Sequence, residues 1–200
     1  MIIKVCGMRE PENIRAVERT GIDWMGFIFW PRSSRYVSAP PSYLPQKAKR
    51  AGVFVDADTD MIKRHIADYS LDIIQLHGHE SPDLLTALRP SGVTLIKAFS
   101  IASPADLAQT ATYEGIADYF LFDAKTPLPG GSGIKFDWSV LSAYTGRTPF
   151  LLSGGIGPDD APRVRAFKHE KLAGIDLNSR FETAPAIKDA DRLARFLSQL

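Results

Sequence analysis

Cysteine is almost absent from this chain. Of 200 residues only Cys6 carries a thiol, so no internal disulfide staples the fold and a reducing, cytoplasmic setting is expected. Net charge is nearly absent too: 24 Lys and Arg stand against 23 Asp and Glu. That balance leaves no broad field for nucleic acid or an anionic membrane, and a phosphate site must be local. No apolar run approaches the roughly 20 residues that a membrane helix requires. The N-terminus lacks the basic flank and long apolar core of a signal peptide, so none is expected. Low-complexity tracts and Ser/Gly linkers are missing, and the Pro-rich stretch Ala39-Pro40-Pro41-Ser42-Tyr43-Leu44-Pro45 is too short to separate domains. One domain over residues 1–200, with a substantial core from 44% hydrophobic residues, is the expectation.

What the chain does have is a series of short apolar runs, each ending in a chemically useful residue. Eight runs fit buried parallel strands: 2–6, 24–29, 49–55, 73–76, 94–99, 119–123, 149–153 and 173–177. Helical spacing is clearest over 11–19, 59–69, 83–88 (after Ser81-Pro82), 158–167 and 186–200. Pro40, Pro41 and Pro45 leave little room for a second helix, and the fifth and sixth, 104–110 and 137–144, are short. The alternation predicts an α/β fold, a single (β/α)8 barrel of eight parallel strands, at about 25 residues per unit. An open doubly wound sheet explains the spacing almost as well. It does not explain functional residues on both the first and last strands, which are neighbours only in a closed barrel.

Strand alternation places Lys4 and Cys6 on one face, towards the barrel interior, and Ile3 and Val5 on the other. A buried lysine is costly unless paired. Gly174, Asp176 and Asn178 share a face by the same rule, so closure should bring Asp176 within about 5 Å of Lys4. A lone cysteine is most often a small buried hydrophobe. At a strand end, followed by Gly7 where a barrel opens, Cys6 reads as a working thiolate, provided nearby positive charge lowers its pKa. Asp123 closes Tyr119-Phe120-Leu121-Phe122. It reads either as a cap or ion-pair partner, or as a general acid if burial raises its pKa enough to retain a proton.

Ser153-Gly154-Gly155-Ile156 follows the seventh strand and Asn178-Ser179 the eighth. Loops at those places commonly hold phosphate on backbone N–H groups, and glycine lets the chain approach the oxygens closely. Pro129-Gly130-Gly131-Ser132-Gly133 reads as a loop that closes over substrate; the G-x-G-x-x-G dinucleotide pattern is absent. Arg35 on the loop after strand two is either a solvated arginine or a bidentate ligand for a substrate carboxylate. His77 and His79, two apart with no cysteine near, match metal spacings poorly, so no metal is expected.

Taken in order, Lys4-Val5-Cys6-Gly7-Met8, Ser33-Ser34-Arg35-Tyr36-Val37, Gly52-Val53-Phe54-Val55, Gln75-Leu76-His77-Gly78, Gly131-Ser132-Gly133, Leu152-Ser153-Gly154-Gly155-Ile156 and Gly174-Ile175-Asp176-Leu177-Asn178-Ser179-Arg180-Phe181-Glu182 resemble the phosphoribosylanthranilate isomerase family of tryptophan biosynthesis. The resemblance spans nearly the whole chain. It implies an Amadori rearrangement of N-(5-phosphoribosyl)anthranilate, an aminoaldose, to 1-(2-carboxyphenylamino)-1-deoxyribulose 5-phosphate, an aminoketose, with no cofactor. It further implies Cys6 as general base and Asp123 as general acid. Arg35 would hold the anthranilate carboxylate, Gly154, Gly155, Asn178 and Ser179 the phosphate, and His77 would complete the substrate contacts. Asn178 stands where many relatives have Ser and Arg180 where many have Gly; Arg180 would sit near the phosphate or pair with Glu182. Whether the chain associates with neighbouring tryptophan-pathway enzymes is left open. Two other readings compete: an isomerase of the related histidine-pathway aminoaldose, which usually carries a carboxylate at the first-strand position, and a non-catalytic phosphosugar-binding barrel.

Overall fold

The computed structural model describes residues 1–124 and 137–200. The eight apolar runs form parallel strands that close on themselves in chain order. They are β1 (Ile2–Val5), β2 (Trp24–Ile28), β3 (Lys49–Phe54), β4 (Ile73–Leu76), β5 (Thr94–Ile101), β6 (Tyr119–Ala124), β7 (Phe150–Leu152) and β8 (Leu172–Leu177). β1 pairs with β8 with Lys4 opposite Asp176, so the sheet is a barrel and not an open doubly wound sheet. The expected closing loop at Pro129-Gly130-Gly131-Ser132-Gly133 lies outside the described residues.

The period of two along each strand divides the core into two layers. Outward residues such as Val5, Met25, Phe27, Phe54, Ile74, Phe120, Phe122 and Ile175 pack under the helices. Inward residues Trp24, Ala51, Ile73, Ile96, Ala98, Leu121 and Leu151 form a separate apolar plug inside the barrel. Trp24 meets Tyr119 edge-on there, with ring centroids 5.4 Å apart. One or two inward positions further along the strands, the plug gives way to Cys6, Gln75, Asp123, Ser153 and Asp176. Polar chemistry therefore begins where the plug ends, at the carboxyl ends of the strands.

The outer helices are α1 (Pro11–Glu18), α2 (Thr59–Tyr69), α3 (Pro82–Leu88), α4 (Ala161–Ala166) and α5 (Ala190–Leu197). Asp58, Ser81 and Asp189 cap α2, α3 and α5 by accepting from Met61, Leu84 and Arg192 backbone N–H groups, each contributing about 1 kcal/mol. The fifth and sixth units carry 3-10 turns, Pro104–Tyr113 and Trp138–Ala143. Between β2 and β3 the prolines exclude a helix. The segment is instead anchored on α1: Glu18 accepts from the Gln46 and Lys47 N–H groups at 2.6 Å, and the Arg15 guanidinium lies 3.7 Å from the centre of the Tyr43 ring.

Two expected helix starts were too early. Residues 158–160 form a 3-10 turn before α4. The final helix does not begin at Ala186: Ala186 has φ +67°, and Ile187–Lys188 (β10) pairs antiparallel with Glu182–Ala184 (β9). Ile187, counted on the apolar side of that helix, is exposed. The hairpin wins because Lys188 finds buried partners that a helix would not give it. No helix among the described residues is long and apolar enough to cross a membrane.

Candidate active site

A cleft of about 730 Å³, counted with its solvent-filled mouth, opens over the plug. Cys6 from the end of β1, Arg35 from the loop after β2, His77 from the end of β4 and Asp123 from β6 all line it. Gly154 and Gly155 after β7, and Asn178 and Ser179 after β8, complete its rim. Ile28, Val53 and Val55 form an apolar wall on the side of β2 and β3.

Cys6 is held by its N–H, which donates to Leu177 O at 2.8 Å across the β1–β8 seam. Its position depends on Gly26 of β2: a Cβ there would lie 2.7 Å from Cys6 Sγ and 3.0 Å from its Cα. Beneath it, Lys4 Nζ donates to Asp176 Oδ1 at 2.9 Å with both side chains buried. Burial disfavours the Lys4 charge, but Asp176 and Cys6 outweigh it and raise its pKa. Burial pushes the Cys6 thiol up, and Asp176 adds to that; the cations of Lys4 and Lys188 pull the other way.

The Asp123 carboxyl is raised to about 6, first by burial and then by the Asp176 charge, against hydrogen bonds from Ala124 N–H and Ser153. Ala124 N–H donates to its Oδ1 at 2.8 Å. His77 Nε2 lies 3.7 Å from Asp123 Oδ2. Burial, with Lys97 and Lys4 nearby, lowers the His77 pKa to about 3, so its ring is neutral. The Gln75 amide lies 3.1 Å from Nδ1; with that amide donating, the ring proton sits on Nε2, towards Asp123. His79 departs from the site: its side chain is 99% exposed, 3.6 Å from Asp56. Among the described residues no group of three or more His, Cys, Asp or Glu is arranged to hold a metal.

Gly154 and Gly155 have φ of +86° and +72°, a left-handed turn that most side chains resist and that aligns successive N–H groups as an anion-binding concavity. Asn178 and Ser179 approach from β8. Arg180 also lines the cavity, while the Glu182 carboxylate is taken by Arg35 and Lys188: Arg35 Nε and Nη2 donate to it at 2.8 and 2.6 Å, Lys188 Nζ at 2.6 Å. The sequence reading missed the roles of Gln75, Glu182 and Lys188 here. In the sequence Glu182 offers itself only as a partner of Arg180, and Lys188 lies within an expected helix, where it carries no signal of a buried charge.

All eight residues singled out as catalytic or substrate-binding thus border one cavity. A family model described as N-(5'phosphoribosyl)anthranilate (PRA) isomerase matches residues 3–199. The chain is 54% identical over 200 residues to N-(5'-phosphoribosyl)anthranilate isomerase of Phocaeicola vulgatus, covering 100% of this chain and 98% of that one. It is 50% identical to the isomerase of Parabacteroides distasonis over 208 residues, covering 100% and 93%. Among solved structures it resembles phosphoribosyl anthranilate isomerase from Thermus thermophilus, with TM-score 0.86, 29% identity and coverage of 100% and 98%. It also resembles a phosphoribosyl anthranilate isomerase in complex with reduced 1-(o-carboxyphenylamino)-1-deoxyribulose 5-phosphate, with TM-score 0.85, 27% identity and coverage of 100% and 98%. The chain belongs to the N-(5'-phosphoribosyl)anthranilate isomerase family of tryptophan biosynthesis.

Proposed function

We propose that Cys6 and Asp123 carry out this isomerisation as general base and general acid on a phosphoribosylanthranilate fixed at both ends. The observation that carries the reading is that both groups border one cavity that is also lined by the Gly154-Gly155 anion loop and by Arg35. The phosphate sits on backbone N–H groups of Gly154 and Gly155 with Asn178 and Ser179. The aromatic ring lies along Ile28, Val53 and Val55, and its carboxylate meets Arg35. Two handles at opposite ends of the substrate place the sugar between base and acid.

The neutral Asp123 carboxyl donates its proton to the furanose oxygen. The C1′–O bond breaks, the ring opens, and a protonated Schiff base forms between C1′ and the anthranilate nitrogen. That cation acidifies the C2′ hydrogen, which the Cys6 thiolate removes to give an enolamine and a thiol. Tautomerisation adds a proton at C1′ and takes one from the C2′ hydroxyl, leaving the aminoketose. C2′ is oxidised as C1′ is reduced, so the stoichiometry requires no external oxidant. With the acid raised to about 6 and the thiol raised by burial, the productive pair of thiolate and carboxylic acid is a minority tautomer of thiol and carboxylate. Lys4 beside Cys6 supports the thiolate member of that pair.

A fluorescence assay following loss of N-(5-phosphoribosyl)anthranilate tests the roles. Cys6→Ala and Asp123→Asn should each lower turnover by about a hundredfold or more while circular dichroism stays unchanged. Turnover within about tenfold of the parent would remove the role from that residue.

A further inference from the structure

Two charged residues behind the cavity lining, in contact with Arg35 and Asn178, are unused by this mechanism. Glu182 on β9 and Lys188 on β10 are buried, with the Lys188 side chain 0% and the Glu182 side chain 6% exposed. Both Glu182 oxygens are taken up by the Arg35 fork. The Lys188 ammonium donates to the same carboxylate at 2.6 Å, to Asn178 Oδ1 at 2.9 Å and to Gly7 O at 3.4 Å. Its backbone is pinned to α1, because Asn13 exchanges two 2.7 Å hydrogen bonds with the Lys188 N–H and C=O. Burial works to raise the Glu182 carboxyl, but the Arg35 and Lys188 contacts outweigh it and hold it below its usual range.

The charge count gives these contacts a purpose. An arginine already matched by one carboxylate is a neutral unit, poorly suited to bind a second carboxylate. Glu182 occupies two of the five N–H donors of Arg35 and fixes the plane of the guanidinium. Burial lowers the Lys188 pKa and the Glu182 carboxylate works against that; as an ammonium behind the pair, Lys188 brings the three-residue cluster to a net +1.

We propose that Lys188 is a positioning residue that balances Glu182, so that Arg35, oriented by Glu182, keeps a net positive charge for the carboxylate of the substrate. This rests on the reading of Arg35 given above. The Lys188 contact with Asn178 also ties the arginine end of the site to the anion loop.

Calorimetric titration with two ligands tests it: reduced 1-(2-carboxyphenylamino)-1-deoxyribulose 5-phosphate, and the same compound without the ring carboxylate. The ratio of their Kd values is the carboxylate preference, which general loosening of the fold would not change selectively. Lys188→Met should cut that preference by about tenfold or more. Lys188→Met combined with Glu182→Gln, which restores the net +1, should return it to within about threefold of the parent. Lys188→Gln, which keeps a donor towards Asn178 without the charge, should cut the preference to a similar extent; this arm stands even if Lys188→Met does not fold. An unchanged preference in either neutral variant, or no recovery in the double variant, overturns the charge-balance role. Arg35→Met is the control. If it leaves the preference intact, the Arg35 reading fails and the proposal with it; if it abolishes the preference while Lys188→Met does not, only the proposal fails.

Discussion

Lys4 on the first strand and Asp176 on the last meet at 2.9 Å inside the barrel, 172 residues apart in sequence. The pair sits directly opposite in the β1–β8 register and forms the floor beneath Cys6. It is at once the seam of the fold and part of the electrostatic surroundings of the Cys6 thiol and the Asp123 carboxyl.

Removing one partner strands the other in the interior. Lys4→Met should cost about 3–5 kcal/mol, whereas Lys4→Met with Asp176→Leu should recover most of that loss. Urea unfolding of the two variants checks this. A double variant no more stable than the single one would mean that packing, not charge, dominates at the seam.

Asp123 makes stability depend on pH in the opposite sense from an ordinary ion-paired carboxylate. Its folded pKa, about 6, lies above the unfolded value near 3.8. The folded state therefore holds the extra proton between these values, and stability falls as pH rises through that window. Above it, the buried carboxylate costs about 3 kcal/mol. Asp123→Asn should be more stable than the parent at pH 7.5, with the gain gone by about pH 4. Unfolding curves at the two pH values decide; a difference independent of pH contradicts the raised pKa. A carbon-13 NMR titration of the Asp123 carboxyl should have its midpoint near 6.

Gly26 should tolerate no side chain without moving the sulfur. Its added Cβ would lie 2.7 Å from Cys6 Sγ, so Gly26→Ala should lower kcat by about tenfold to a hundredfold, with a smaller effect on KM. Steady-state kinetics distinguishes this from simple loss of fold, and an unaltered kcat would show that the sulfur has room to retreat.

Arg35→Ala should weaken substrate binding by roughly 2 kcal/mol or more, the worth of a charge-assisted bidentate contact. KM should rise and kcat/KM fall accordingly. Unchanged values of both would place the substrate carboxylate elsewhere.

Much of this was legible from strand patterning. The apolar runs give the barrel because buried parallel strands need no polar face, and the unpaired interior Lys4 required a partner that only closure supplies. The positions of Cys6 and Asp123 follow from the same alternation. The β9–β10 hairpin was not legible. A two-residue strand has no periodicity, Ala186 gives no sign of its left-handed backbone, and Leu193 and Phe196 extend a helical pattern back through Ile187. Nor does local sequence show that His77 is neutral, since its low pKa comes from burial and from lysines on β1 and β5. The Arg35–Glu182–Lys188 cluster joins the loop after β2 to a hairpin nearly 150 positions later (147 residues separate Arg35 and Glu182), beyond the reach of any local pattern.

The seam between β1 and β8 also has a temporal consequence. During synthesis, the opening segment leaves the ribosome with its ammonium and thiol but without the carboxylate that will neutralise it, because Asp176 emerges almost last. Until then the nascent chain is an incomplete ring with two unsatisfied edges, open to wrong pairings. The contact that finishes the architecture also completes the floor under the sulfur, so a truncated product lacking the final stave would have neither a closed wall nor a balanced interior.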